Sequence, residues 1–169
     1  MSIFYTVTDS PFGPLWLAAT PAGLCRIGLP GERRADLERW LARWVGPEKL
    51  EENSEVLAPA VAQLREYFSR LRREFDLPLD LRGTDFQRRV WAELRDVPYG
   101  QTISYGELAR RVGRPGAARA VGGAVGANPI PIIVPCHRVI GADSFLVGYG
   151  GGLEIKAALL RLEGVVCLK

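Results

Sequence analysis

The sequence predicts an α+β protein: a small N-terminal antiparallel sheet with helices, followed by a mostly helical C-terminal domain carrying a helix-turn-helix. Three observations carry this reading. Strand-like runs separated by turns fill the first thirty residues, apolar residues then recur at helical spacing, and late in the chain two capping boxes open helices flanking a glycine-containing turn. The division falls at the linker Leu77-Pro-Leu-Asp-Leu-Arg-Gly83, giving domains over residues 1–81 and 82–169.

In the first domain, Ile3–Thr8 and Leu15–Thr20 read as strands joined by a turn around Asp9-Ser-Pro-Phe-Gly13. Pro21-Ala-Gly23 turns the chain into a third strand, Leu24–Leu29. Leu37, Trp40, Leu41 and Trp44 lie at i, i+3, i+4 and i+7 and mark a helix that Gly46-Pro47 ends. Val61, Leu64, Phe68 and Leu71 give a second helix starting near Pro59. No catalytic grouping occurs here, so structural support is the expected role.

In the second domain, Thr84-Asp-Phe-Gln87 is a capping box opening a helix with Phe86, Val90 and Leu94 inward. Ser104-Tyr-Gly-Glu107 is another, and Tyr105, Leu108, Ala109 and Val112 form that helix's apolar face. The turn Gly113-Arg-Pro-Gly116 leads into a helix over Ala117–Asn128, completing the helix-turn-helix. This last helix holds three glycines, each costing about 0.5–1 kcal/mol against alanine, and hardly any side chain besides Arg119. A major-groove reader needs several polar side chains. A nearly bare helix suits the minor groove, roughly 6 Å wide, while close packing inside the domain is the alternative. The final helix, from about Glu154 to Glu163, turns Ile155, Leu159 and Leu162 inward, with Gly164 as its C′ residue. Glu163 sits in the last turn, where the macrodipole disfavours an anion. It therefore needs solvent or a cationic partner.

Composition bounds the function. The 169 residues are 47% hydrophobic and 24% charged, a globular balance. The start has no signal-like pattern and no stretch approaches a membrane span, so a cytoplasmic protein without membrane contact is expected. Three cysteines, Cys25, Cys136 and Cys167, with one histidine make neither a disulfide framework nor a zinc site, and no metal is expected. Net charge is +3, divided as −2 over residues 1–81 and +5 over 82–169. If phosphates are the partner, the second half meets them; an ordinary solvated surface would read the same.

The chemistry concentrates in Asn128-Pro-Ile-Pro-Ile-Ile-Val-Pro-Cys-His-Arg-Val-Ile140. Ile130 and Ile132 to Val134 can form a short buried strand that Pro129, Pro131 and Pro135 keep irregular. This rail delivers Cys136 and then the only histidine, His137. A small buried hydrophobe is the bland reading of Cys136. Adjacent side chains on a strand diverge, so the pair cooperates only if the chain bends at Pro135 or a water joins them.

Pro135-Cys-His-Arg-Val139, with Asn128-Pro129 before it and Gly148-Tyr-Gly-Gly-Gly152 after it, resembles the active-site signature of the O6-alkylguanine-DNA alkyltransferases. The resemblance is close over residues 84–164 and outlined before them. It implies a ribonuclease H-like first domain and a winged-helix-like second. It also implies irreversible transfer of an alkyl group from guanine O6 in double-stranded DNA to Cys136, without a cofactor. DNA is bound in the minor groove and the base is flipped out of the stack. In this resemblance His137 acts on Cys136 through a water and Glu163 orients His137. Tyr105 donates a proton to guanine N3, and Asn128 is the hinge. Arg119 fills the gap in the stack, while Ala118, Ala120, Gly122 and Arg138 are further DNA-binding positions. Carbonyls of Cys136 and Val139 accept from the guanine amino group, and Pro131 and Tyr149 wall the pocket. At Gly150, where some members have serine, only the backbone N–H serves O6. Asp143-Ser-Phe-Leu146 also lacks the glycine turn common before Gly148-Tyr149. A monomer in solution is expected, with cooperative assembly on DNA left open. Two alternatives are a lesion-binding protein without repair, against which Cys136 speaks, and a Cys-His hydrolase, which would not need Arg119 on a bare helix.

Overall fold

The structure, a computed structural model, describes residues 2–141, 148–149 and 151–165. It divides into two compact units, residues 1–83 and 84–169.

In the first unit the three expected strands, β1 (Ser2–Thr8), β2 (Leu15–Thr20) and β3 (Gly23–Gly28), pair antiparallel, with a bulge at Ala18/Ala19. A fourth strand, β4 (Lys49–Glu52), joins β1 in parallel, giving the order β3-β2-β1-β4. Lys-Leu-Glu-Glu has no apolar alternation because β4 is an edge strand, held by backbone pairing on one side. On one sheet face Ile3, Tyr5, Ala18 and Cys25 pack with Leu37 and Leu41 of α1 (Arg34–Trp44), and Trp40 closes this cluster. Leu15 and Leu17 alternate to the other face and are fully buried.

Helix α2 (Ser54–Phe68) begins well before Pro59, which lies inside it. The Asn53 side chain caps it, accepting from the N–H groups of Glu55 and Val56. The buried face is Leu57, Ala60, Leu64 and Tyr67 rather than Val61, Leu64, Phe68 and Leu71. Leu71 lies beyond the helix, 78% exposed. Leu64 is common to both faces, while Ala60 and Tyr67 take the inward places expected of Val61 and Phe68.

In the second unit, α3 (Asp85–Arg95) is opened by the full Thr84/Gln87 capping box. Trp91 is buried with Val90 and Leu94, whereas Phe86 is only half-buried under the Arg114 guanidinium. The Trp91 indole N–H donates to the Ala124 carbonyl at 2.8 Å. This ties α3 to α5 (Ala118–Gly126). Between them runs α4 (Tyr105–Arg111), whose Ser104 cap accepts from the Glu107 N–H. Glu107 spends its carboxylate on Arg110 and Arg111 instead of the return half of the box.

Two short strands assemble the site. β5 (Ile103–Ser104) pairs in parallel with β6 (Val139–Ile140), Ile103 opposite Val139 and Ser104 opposite Ile140. That register sets Tyr105, the first residue of α4, beside the chain leaving Cys136. Helix α6 (Leu153–Leu162) closes the unit, with Gly164 at φ 88° after it. Its buried residues are Lys156, Leu159 and Leu160 rather than Ile155, Leu159 and Leu162. No described helix is long and apolar enough to cross a membrane.

Candidate active site

The run from Asn128 to Ile140 is buried throughout. The short strand expected at Ile130 and Ile132–Val134 is instead a tight turn, with only a bridge between Pro131 and Val134. Ile132 has φ 76°, a region β-branched residues avoid, and such strain persists only where neighbours dictate it. Here Asn128 dictates it. Its carboxamide accepts from the Ile130 N–H at 3.0 Å and donates to the Val134 carbonyl at 2.8 Å. The Val134 N–H closes the turn on the Ile130 carbonyl.

Beyond Pro135 the chain bends into a 3-10 turn, Cys136–Arg138. The backbone is therefore not extended at the Cys-His pair. Cys136 is 7% exposed, and His137 is sealed from solvent. His137 Nε2 lies 2.7 Å from Glu163 Oε2, while His137 Nδ1 is buried with no hydrogen-bond partner among the described residues.

Glu163 is not a solvated helix-end charge. It is 5% exposed, and Arg138 holds it through Nε at 2.8 Å and Nη2 at 3.1 Å. The Arg138 Nη1 group donates to the Val97 carbonyl. Arg138 was expected at the DNA surface; its guanidinium is instead committed inward, because an anion at the α6 C-terminus needs a cation there. Tyr99 adds to this anchor, its hydroxyl donating to the Leu162 carbonyl and its ring lying beneath Arg138.

The protonation states follow from these neighbours. Burial pushes the Glu163 carboxyl up, but hydrogen bonds from His137 and Arg138 outweigh it and bring it to about 2. Burial pulls His137 down, and the Glu163 contact only partly offsets that. We therefore assign an ionised Glu163 and a neutral His137 whose Nε2–H donates to it. The lone pair then sits on Nδ1, the unpartnered nitrogen.

Burial pushes the Cys136 thiol up to about 11, against the downward pull of the Asn128 amide, the Lys156 ammonium and the Tyr149 hydroxyl. Tyr105 and Tyr149 are both pushed up, first by burial and then by the nearby sulfur. The Tyr149 hydroxyl meets hydrogen-bond geometry with no described group. The Cys136 carbonyl accepts from the Val139 N–H, leaving one lone pair for another donor. Gly150, Asp143–Leu146 and Cys167 lie outside the described residues.

On α5, Val121, Ala124 and Val125 face inward. Arg119, Ala120, Gly123 and Gly126 are exposed, and Ala118 is half-buried. Nothing lies within 4 Å of where a side chain would grow from Gly123 or Gly126, so internal packing does not require those glycines. Gly122, expected at the DNA surface, faces the Tyr105 ring, with its direction set by the helix. Gly123 and Gly126 are the exposed positions that the sequence reading did not single out. The signal for them was their spacing from Arg119 at i+4 and i+7. Lys156 was missed as well, since apolar periodicity cannot find a buried lysine. Among the described residues no group of three His, Cys, Asp or Glu side chains could hold a metal ion.

Two family models match the chain. They are the ribonuclease-like domain of 6-O-methylguanine DNA methyltransferase over residues 3–81 and its DNA binding domain over residues 85–165. A methylated-DNA–protein-cysteine methyltransferase of Mycolicibacterium paratuberculosis is 50% identical over 161 residues, covering 95% of this chain and 92% of that protein. One from Methanosarcina acetivorans is 44% identical over 163 residues, covering 96% and 99%. A crystal structure of the Mycobacterium tuberculosis OGT in complex with DNA is 47% identical. It superposes with a TM-score of 0.82, covering 96% of this chain and 92% of that one. Matched along nearly its whole length by both domain models, the chain belongs to the 6-O-methylguanine DNA methyltransferase family.

Proposed function

We propose that this protein repairs DNA by moving an alkyl group, methyl above all, from guanine O6 onto the sulfur of Cys136, once per molecule and without a cofactor. The buried Cys136-His137-Glu163 arrangement carries the reading, above all the Nδ1 of His137, which has no hydrogen-bond partner among the described residues. A water between that nitrogen and the thiol passes the Cys136 proton to His137, and Glu163 stabilises the imidazolium. The thiolate then attacks the alkyl carbon, forming the S–C bond as the C–O6 bond breaks. The electron pair stays on the guanine, and the Tyr105 hydroxyl supplies a proton to N3. The product is a thioether, with no step that restores the thiol, so each molecule acts once.

The base must leave the stack to reach a sulfur this buried, at a cost of a few kcal/mol. The exposed, nearly bare face of α5 supports minor-groove entry, with Arg119 filling the vacated space. Asn128 fixes the turn that presents Cys136, and Pro131, Val139, Tyr149 and Gly150 surround the extruded base. The reading places it in the cytoplasm as a monomer in solution, with cooperative assembly on DNA left open. Cys136→Ser tests the reading: the variant should bind duplex DNA carrying O6-methylguanine as wild type does, yet remove no methyl. Residual transfer by that variant would overturn the assignment.

A further inference from the structure

The parallel strand β4 covers only part of the β1 edge. Its register ends with Glu52 opposite Tyr5, where the Asn53 N–H reaches the Tyr5 carbonyl, and the chain then turns into α2. Alternate residues of a strand turn their backbone groups to the same side, so Val7 is the next to present its N–H and C=O there. No β4 residue stands opposite Val7, and its side chain is 45% exposed. An edge left open in this way is a template for another strand.

Beside that edge lies a groove of about 430 Å³, with Thr6, Val7 and Thr8 on one side and α2 on the other. The α2 side is a single stripe of the helix, with Glu55, Ala58, Ala62 and Arg65 at i, i+3, i+7 and i+10. The two alanines are exposed and end at Cβ, which leaves the middle of the groove unfilled. The ends carry opposite charges. Glu55 and Arg65 are both exposed, and neither has an ion-pair partner among the described residues. On α1, by contrast, Asp36 and Glu38 are taken up by Arg33, Arg39 and Arg34.

We propose that this groove binds an extended segment of another protein, which continues the sheet beyond β4 as a strand on the Val7 edge. The charges of that segment follow from the groove. Ten helix positions separate Glu55 from Arg65, which is about 15 Å along the axis. An extended chain covers about 13 Å in four residues, and a four-residue spacing returns a side chain to the same face. The fitting segment therefore carries a basic residue for Glu55 and an acidic residue for Arg65, four positions apart. The residue midway between them faces Ala58 and Ala62, where a β-branched apolar side chain fills the space. Backbone hydrogen bonds at Val7 attach the segment, and the charged ends select it.

The probe is a heptapeptide of threonines with lysine, valine and glutamate at its second, fourth and sixth positions. A second peptide has the lysine and glutamate exchanged. Each is titrated into the isotope-labelled full chain and followed by amide NMR. One order should bind, shifting the signals of Thr6, Val7 and Thr8 together with those of Ala58 and Ala62. Exchange of the Val7 N–H with solvent should slow about tenfold or more at saturation, as a new backbone hydrogen bond requires. Combining Glu55→Lys with Arg65→Glu should reverse the preferred order. Val7→Pro, which removes the edge donor, should abolish binding of both peptides. The two charge changes lie on exposed side chains, so their result stands even if Val7→Pro does not fold. Binding by neither peptide, equal binding of the two orders, or shifts confined to other residues would each overturn the proposal. So would concentration-dependent shifts of the same amides in the free chain, which would give the groove to a second copy.

Discussion

Arg138 and Glu163, 25 residues apart in sequence, form a buried two-point ion pair, and His137 donates to the same carboxylate. The pair turns a charge that the α6 dipole disfavours into the fixed end of the site. Removing Glu163 takes from the buried Arg138 guanidinium the carboxylate it grips at two points.

Glu163→Gln should therefore do two things. Stability should drop by about 3–5 kcal/mol, because Arg138 loses its counter-charge, as read by denaturant unfolding. Methyl transfer should slow at neutral pH while DNA binding holds, and raising the pH should recover part of the rate as the thiol ionises unaided. Wild-type transfer rates across roughly pH 6 to 9 would show that the carboxylate does not act on His137.

Acid should unfold the wild type partly through this carboxyl. Its folded value, about 2, lies below the unfolded one, which is about 4.3. A depressed acid contributes stability that is fully present above the unfolded value and lost as pH falls through the folded one. The linkage amounts to roughly 3 kcal/mol lost between about pH 4.3 and 2. Unfolding free energies of wild type and Glu163→Gln should converge over that window; a constant gap would contradict the shift.

Gly123→Ala and Gly126→Ala separate protein packing from DNA binding. Both positions have open space beside them, so each variant should gain about 0.5–1 kcal/mol of stability. If α5 enters the minor groove, the added methyl groups obstruct it, and affinity for duplex DNA should fall. More stable variants with unchanged DNA affinity would place another surface against the DNA.

Arg119→Ala should leave stability within about 0.5 kcal/mol, since the side chain is exposed. DNA binding should weaken modestly and evenly across sequences, as for loss of a single phosphate contact. Repair in duplex DNA should slow far more than reaction with the free base O6-benzylguanine. Equal slowing on both would make Arg119 part of the fold rather than of base extrusion.

What the sequence made legible were features with a local physical signature. Thr84 and Ser104 announced their helices through capping chemistry, and the bare stretch around Arg119 was visible as missing side chains. The need of Glu163 for solvent or a cationic partner followed from its place in the last helical turn. What stayed hidden depends on tertiary partners. Lys49–Glu52 pairs only through its backbone, so no side-chain pattern marked β4. The positive φ at Ile132 is imposed by the Asn128 side chain, against residue preference. Arg138 reads as a surface cation until Glu163 is brought to it. Lys156 reads as a polar residue on a solvated face until α6 is seen to turn that face inward.

The most direct test is intact-mass analysis of the wild type after incubation with excess duplex DNA containing O6-methylguanine, followed by peptide mapping. The account predicts that each molecule gains a single methyl group, that the methyl maps to Cys136, and that repair stops when protein is exhausted. Repeated turnover, or a methyl on Cys25 or Cys167, would contradict it.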